Sequence, residues 1–118
     1  MIRHNEECRI EVRELNNSLS KITLKHLINE DEFCNSGRLM CEITVSPKGK
    51  INFHQHVDEF EVYYIIQGKG LYNDNNEIEQ IVKKGDVTYC PSGSSHSIEN
   101  LSDNEDLVFI GVINKCIN

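Results

Sequence analysis

The chain has 118 residues, and its 12 lysines and arginines against 19 aspartates and glutamates give a formal net charge of -7 at pH 7. This length fits a single domain over residues 1–118 and leaves no room for a second hydrophobic core. Because nucleic acids and membrane surfaces are both anionic, the acidic balance argues against either of them as a partner.

Short apolar or alternating runs follow one another along the chain and are separated by Gly, Asn, Asp or Pro. Many short strands at this spacing are typical of an antiparallel sandwich or barrel, so the sequence predicts an all-β fold. The predicted strands lie near Arg9–Val12, Lys21–Leu27, Leu39–Val45, Ile51–His56, Glu61–Ile66, Gly70–Tyr72, Glu77–Val82, Val87–Cys90, Ser95–Glu99 and Leu107–Ile113.

No long stretch carries apolar residues at the spacing of an amphipathic helix, so helices should be few and short. We place them near Asn16–Ser20 and Asn29–Phe33. The first twenty residues are charged throughout and no apolar run is long enough to cross a bilayer, so we expect neither a secretory signal nor a membrane span. The odd number of cysteines, with no C-x-x-C spacing, indicates free thiols in a reducing cytoplasm.

The run Val62–Ile66 is apolar at every position, although a strand in a small barrel needs only its inner face buried. Another part of the protein should therefore cover the outer face of this strand. The N-terminal segment or a second copy of the chain would both serve, and we favour a homodimer.

Two histidines, His54 and His56, occupy alternate positions on one predicted strand. Alternate residues of a strand project to the same face, so both imidazoles can bind one ion. Glu61 begins the next predicted strand, and His96 lies on a later one. Three neutral imidazoles and a carboxylate suit Zn²⁺, Mn²⁺, Fe²⁺, Ni²⁺ or Cu²⁺ and do not suit Ca²⁺. We therefore predict one divalent metal ion bound by His54, His56, Glu61 and His96.

These residues carry a resemblance to the cupin superfamily. The segment Gly49–Gly68 resembles the first cupin motif, G-x5-H-x-H-x3,4-E-x6-G, except that four residues rather than five separate Gly49 from His54. Lys48 therefore stands where the motif has glycine, and we expect Gly49 to supply the conformational freedom of the turn instead. The segment Gly85–Asn100 is similar to the second motif, G-x5-P-x-G-x2-H-x3-N, at every specified position.

The resemblance implies a conserved-barrel jelly roll with a metal ion inside, near one mouth, and the same four residues as its ligands. Within the superfamily the chain looks most like small single-domain proteins described as mannose-6-phosphate-isomerase-like cupins. The resemblance permits isomerase, dioxygenase, decarboxylase and lyase chemistry, and the sequence does not choose among them. We expect a metal-dependent enzyme acting on a small polar metabolite; the alternative is a ligand-binding or sensor protein that keeps the metal without turnover.

Several neighbours of the ligands are weaker candidates. Tyr63 shares strand parity with Glu61 and should point into the cavity, and Ile98 should form apolar wall beside His96. Glu59 has the same parity and rivals Glu61 as a ligand, but the six residues between Glu61 and Gly68 favour Glu61. This leaves Glu59 and Asp58 as solvated loop acids. His26, Cys41 and Cys90 could reach the cavity, although a structural role is more typical of a lone strand histidine.

Overall fold

The structure, a computed structural model, describes residues 1–15 and 20–116. Within these ranges the chain forms ten strands, and all ten predicted strands are confirmed. The strands are β1 (Arg9–Glu14), β2 (Lys21–His26), β3 (Gly37–Val45), β4 (Lys50–Gln55), β5 (Glu59–Gln67), β6 (Lys69–Asp74), β7 (Ile78–Lys83), β8 (Val87–Cys90), β9 (Ser95–Glu99) and β10 (Leu107–Lys115).

Helical structure in the described residues is confined to two short 3₁₀ helices. The predicted helix near Asn29–Phe33 is confirmed as the 3₁₀ helix η2 (Glu30–Phe33), and a second one, η1 (Asn5–Glu7), was not predicted. The helix predicted near Asn16–Ser20 falls, apart from Ser20, outside the described residues. No helix in the described ranges is long and apolar enough to cross a membrane.

The strands form two antiparallel sheets. One has six strands in the order β1-β2-β3-β10-β5-β8, and the other has four in the order β4-β9-β6-β7. The all-β jelly-roll prediction is confirmed, but the barrel is not closed, because no strand pair in the described residues joins the two sheets. Edge strands β1 and β7 carry charged side chains and are mostly exposed, which discourages further strand pairing at those edges.

The core lies between the two sheets. Alternate residues of β2, β3, β5 and β10 are buried, as expected for strands with one face packed inward. The side chains of this core are Ile22, Leu24, Cys41, Ile43, Val45, Tyr63, Ile65, Tyr72, Ile98, Leu107 and Phe109.

The outer face of β5 is not covered by the described part of the N-terminal segment. Strand β1 pairs with β2 and so extends the six-stranded sheet at its edge instead of lying over it. Tyr64 on β5 remains 48% exposed, and Val87 and Tyr89 on neighbouring β8 are 63% and 57% exposed. The N-terminal strand therefore does not account for the apolar run Val62–Ile66, and the homodimer stays a prediction.

The turn before β4 differs from the prediction in which residue adopts the unusual backbone conformation. Lys48, at the consensus glycine position, has a φ of 64°, in the left-handed region. Its ammonium group donates to the carbonyl of Leu101 at 2.8 Å, which anchors the turn. Gly49 is needed for a different reason: a Cβ there would lie 2.9 Å from Val45 Cγ1 and 3.0 Å from Ser46 O.

Candidate metal centre

The predicted ligands come from both sheets. His54 lies on β4 and His96 on β9, where the strand register places them directly opposite each other. His56 follows β4 by one residue, and Glu61 projects from β5 of the facing sheet. The core side of each strand therefore carries polar groups to one place between the sheets.

The ligand atoms converge closely. Nε2 of His56 lies 3.1 Å from Nε2 of His54 and 3.2 Å from Nε2 of His96. Oε1 of Glu61 lies 2.9 Å from Nε2 of both His56 and His96, and 3.7 Å from Nε2 of His54. In the described part of the chain, these four residues are the group of His, Cys, Asp and Glu side chains that can hold a metal ion, with ligand atoms within 4.8 Å of one another.

The Nδ1 atom of each ring has a hydrogen-bond partner of its own, and this partner bears on which ring nitrogen carries the proton. A carbonyl or a carboxylate only accepts hydrogen bonds, so a ring facing one must carry its proton on Nδ1 and leave the Nε2 lone pair free. Nδ1 lies 2.6 Å from Asn52 O in His54, 3.0 Å from Glu59 Oε1 in His56 and 2.7 Å from the Tyr72 hydroxyl in His96. The contacts of Nδ1 leave the Nε2 lone pairs of His54 and His56 free, and the Tyr72 hydroxyl does the same for His96 when it accepts from Nδ1. Three imidazole nitrogens and a carboxylate oxygen thus face one point, which is the donor set of a divalent cation.

Burial and hydrogen bonding set the charge states of the cluster. Burial alone would raise the pKa of Glu61, but the three imidazoles around its carboxylate outweigh burial and hold the pKa well below its usual range. Burial lowers the pKa of His96, whereas the hydrogen bond to Glu61 raises the pKa of His56. Glu61 is therefore ionised and His96 neutral near pH 7, as metal binding requires, whereas the raised pKa of His56 means that a metal ion competes with a proton for that ring.

A cavity of about 220 Å³ opens beside the cluster. Three of the four predicted ligands line it, together with Tyr63, two arginines and a mostly aliphatic wall: His54, His56, Glu61, Arg13, Arg38, Ile22, Leu24, Leu39, Ile43, Ile51 and Ile113. This volume is below the range of about 300–1,000 Å³ that is typical of drug-sized ligands. The site therefore suits a small molecule.

Tyr63 and Ile98 occupy different surroundings. Tyr63 lines the cavity and stacks on His96 with a centroid separation of 5.0 Å. Burial raises the pKa of Tyr63 well above 10, so its hydroxyl stays protonated. Ile98 is not among the residues that line the cavity. It is fully buried in the hydrophobic core, where it packs over Gly70, and this packing keeps its side chain out of the cavity.

Comparison with known proteins identifies the family. The family model described as a cupin domain matches residues 41–113. This chain belongs to the cupin family. A protein named oxalate-binding protein from Thermotoga maritima is 34% identical over 113 residues, which are 96% of this chain and 92% of that protein.

Solved structures agree with this assignment. A structure described as a predicted oxalate decarboxylase from Thermotoga maritima has a TM-score of 0.85 and 33% identity, covering 98% of this cupin and 99% of that chain. A polyketide cyclase from Streptomyces resistomycificus has a TM-score of 0.72 and 21% identity over 99% of this cupin and 80% of that chain. At that identity the second likeness concerns the fold alone.

Glu59 is the site residue that the sequence interpretation placed wrongly, as a solvated acid. Its Oε1 accepts from His56 Nδ1 at 3.0 Å, and both of its oxygens accept from Arg38, each at 2.8 Å. Arg38 is the main cause of a lowered pKa of Glu59. The position of Glu59, three residues after His56, could have indicated its contact with that ring. Arg38 comes from β3, and no local sequence pattern predicts its contact with Glu59.

His26, Cys41 and Cys90 have structural roles apart from the cluster. Nε2 of His26 lies 3.1 Å from Glu11 Oε1, and its Nδ1 lies 3.3 Å from Cys41 Sγ. Burial raises the pKa of both Cys41 and Cys90 to about 11, so these thiols stay protonated. The preferred reading of His26 as a structural histidine agrees with these contacts.

A larger cavity, of about 720 Å³, lies elsewhere on this cupin. Its lining contains Lys69, Lys83 and Lys84 but neither histidine nor cysteine, and Glu105 is its one carboxylate. Size alone does not make a site, and the smaller cavity holds the converging metal donors. The cluster beside the 220 Å³ cavity is therefore the candidate centre.

Proposed function

We propose that this cupin binds one divalent metal ion through His54, His56, Glu61 and His96 and uses it to bind a small carboxylate. The observation that carries the proposal is the convergence of four ligand atoms, all within 4.8 Å of one another, at the wall of a small cavity. The relative named oxalate-binding protein supports a carboxylate as the ligand.

The chain's own residues supply the remaining parts of such a site. When bound, a divalent ion polarises a carbonyl or carboxylate oxygen as a Lewis acid. Glu59 and Asn52 hold two of the imidazole rings through Nδ1, and Tyr63 offers a protonated hydroxyl. The aliphatic wall excludes water, which strengthens every charged contact within the cavity.

Binding without turnover is the function that this cavity supports better. An enzyme of this kind needs an ionisable side chain beside the metal to move a proton. Beyond the ligands, the lining offers Tyr63, whose pKa is too high for a base, and two arginines. Turnover as a metal-dependent isomerase, dioxygenase, decarboxylase or lyase is the second candidate, favoured by the similar structure described as a predicted oxalate decarboxylase.

Metal content and oxalate titration test the proposal together. Protein purified without added metal, or reconstituted with Mn²⁺, Fe²⁺, Zn²⁺, Ni²⁺ or Cu²⁺, should contain about one ion per chain by elemental analysis. The His54→Ala/His96→Ala double variant should lose the ion. Calorimetry should then detect oxalate binding to the metal-loaded wild type only. A wild type that stays metal-free with every ion would overturn the proposal.

Turnover is tested separately by incubating the metal-loaded protein with oxalate and measuring formate and carbon dioxide. Release of both above a metal-free control would establish the second candidate. Saturable binding with no product would support the binding role.

We also propose a homodimer in the cytoplasm. The exposed Tyr64, Val87 and Tyr89 on one sheet face support the dimer. The free thiols of all five cysteines support a reducing compartment.

A further inference from the structure

Arg13 brings a positive charge into the metal cavity from the edge of the six-stranded sheet. In the β1–β2 register it lies opposite Ile22, whose side chain is buried on the core side. Directly opposed residues of an antiparallel pair project to the same face, so Arg13 also faces the core side. It lines the same cavity as His54, His56 and Glu61.

The Glu11 carboxylate binds one nitrogen of the Arg13 guanidinium and leaves the other two nitrogens available. Nε of Arg13 donates to Glu11 Oε2 at 2.8 Å. Glu11 is held in turn by His26, with Nε2 at 3.1 Å, and by Arg9, with Nη1 at 3.7 Å. Within the described residues the terminal nitrogens of Arg13 have no hydrogen-bond partner. Two arginines therefore share one carboxylate, which leaves excess positive charge at this wall.

Arg38, the other arginine that lines the cavity, is already paired with a carboxylate. Its Nε and Nη2 both donate to Glu59 at 2.8 Å, which neutralises it and uses its paired donors. Arg13 is thus the cavity cation whose donors are open to a ligand. The rest of that wall is isoleucine and leucine, which offer nothing to a polar group.

We infer that Arg13 recognises the second acidic group of the ligand, so that the site selects small dicarboxylates over monocarboxylates and neutral molecules. The inference rests on the proposed function, in which the first carboxylate is bound at the metal centre. A guanidinium with free terminal nitrogens matches a carboxylate geometrically. The cavity volume of about 220 Å³ limits the ligand to a few carbon atoms.

The test is calorimetric titration of metal-loaded protein with oxalate, malonate, succinate and glycolate, the last carrying a single carboxylate. Arg13→Gln should weaken the best-bound dicarboxylate by about tenfold to a hundredfold, since a hydrogen bond to a charged group is lost. The same variant should change glycolate affinity by less than about threefold, because that ligand has no second carboxylate to lose.

Arg9→Gln is the matched control. Arg9 lies two residues away on the same face of β1 and shares Glu11, but it does not line the cavity. Its removal makes the same charge change and should alter dicarboxylate affinity by less than about threefold. Metal content should be one ion per chain in every variant, and the thermal midpoint of the exposed Arg13→Gln variant should match that of the wild type within a few degrees.

The outcomes separate this inference from the proposed function. If the wild type binds a dicarboxylate and Arg13→Gln binds it equally well, or loses glycolate to the same extent, Arg13 does not recognise the second carboxylate and the inference fails alone. If the metal-loaded wild type binds none of the four acids, the proposed function fails and takes the inference with it.

Discussion

Single contacts behind the ligands decide how well each imidazole can bind a metal ion. Glu59 accepts from Nδ1 of His56 and is itself held by two hydrogen bonds from Arg38. Such a partner fixes both the tautomer and the direction of the ring. His56 is almost completely buried, so no water can take the place of Glu59.

We therefore predict that Glu59→Gln weakens metal affinity by about tenfold to a hundredfold, measured by competition with a chelator of known affinity. Asp58→Asn is the control, because Asp58 is the adjacent exposed acid and its carboxylate makes no hydrogen bond or ion pair with a ligand ring in the described residues. Equal metal affinity in wild type and Glu59→Gln would show that the ring needs no such support.

The same carboxylate predicts a pH dependence of the metal-free protein. Arg38 is the largest cause that holds the folded pKa of Glu59 below its usual 4.5. A carboxyl with a lowered folded pKa adds stability above its unfolded pKa and loses it as pH falls through the folded pKa. Urea unfolding should thus show wild type losing more free energy of unfolding below pH 4.5 than Glu59→Gln does. Parallel losses in the two proteins would contradict this.

At the residue scale the sequence was sufficient to predict that His54, His56, Glu61 and His96 cluster, and insufficient to predict the residues that support them. His54 and His56 share a face because of strand alternation, which is local, and the second motif placed His96 in register. Arg38 and Arg13 reach the cavity from strands distant in sequence, so their contribution depends on sheet order. No periodicity in one sequence encodes that order.

Strand β9 shows how one element serves both the site and the core. His96 and Ile98 lie two residues apart and share a face, yet His96 joins the metal donors and Ile98 fills the space over Gly70. Parity predicts which face a side chain takes, but not where along the strand the cavity ends. This explains why Ile98 was expected in the cavity.

Ile98→Ala should therefore act on stability and leave the metal centre working. Removal of a fully buried isoleucine should lower the free energy of unfolding by about 2–5 kcal/mol in urea, while metal stoichiometry stays at that of the wild type. Ile78→Ala, at a position 53% exposed, should change the free energy by less than about 0.5 kcal/mol. A loss of metal at unchanged stability would mean that Ile98 serves the site instead.

At the scale of the whole molecule, the outer face of the six-stranded sheet carries exposed apolar side chains. Tyr64, Val87 and Tyr89 are exposed together on neighbouring strands β5 and β8. If this face joins two copies, Tyr64→Arg should shift the protein from dimer to monomer in analytical ultracentrifugation. Ile81→Arg, on β7 of the other sheet and 52% exposed, should leave the oligomeric state unchanged. A wild type that sediments as a monomer would remove the dimer.

Ten strands could be predicted from alternation and turn residues, but the closed barrel could not be. Closure depends on whether edge strands find partners across the two sheets, and this is decided by the whole arrangement. Here the charged edges of β1 and β7 face outward without a partner among the described residues. Local sequence pattern therefore predicts the fold class, but it does not predict whether the barrel closes.

Among the described strands β1 pairs with β2 alone, yet it carries Arg13, one of the two arginines that line the cavity. An outermost strand with one neighbour detaches at a smaller cost than global unfolding. Its backbone amides should therefore exchange with deuterium sooner than those of β10, which has a partner on each side. A dicarboxylate spanning the metal and Arg13 would slow that exchange, so a bound ligand would also hold the edge strand of the sheet in place.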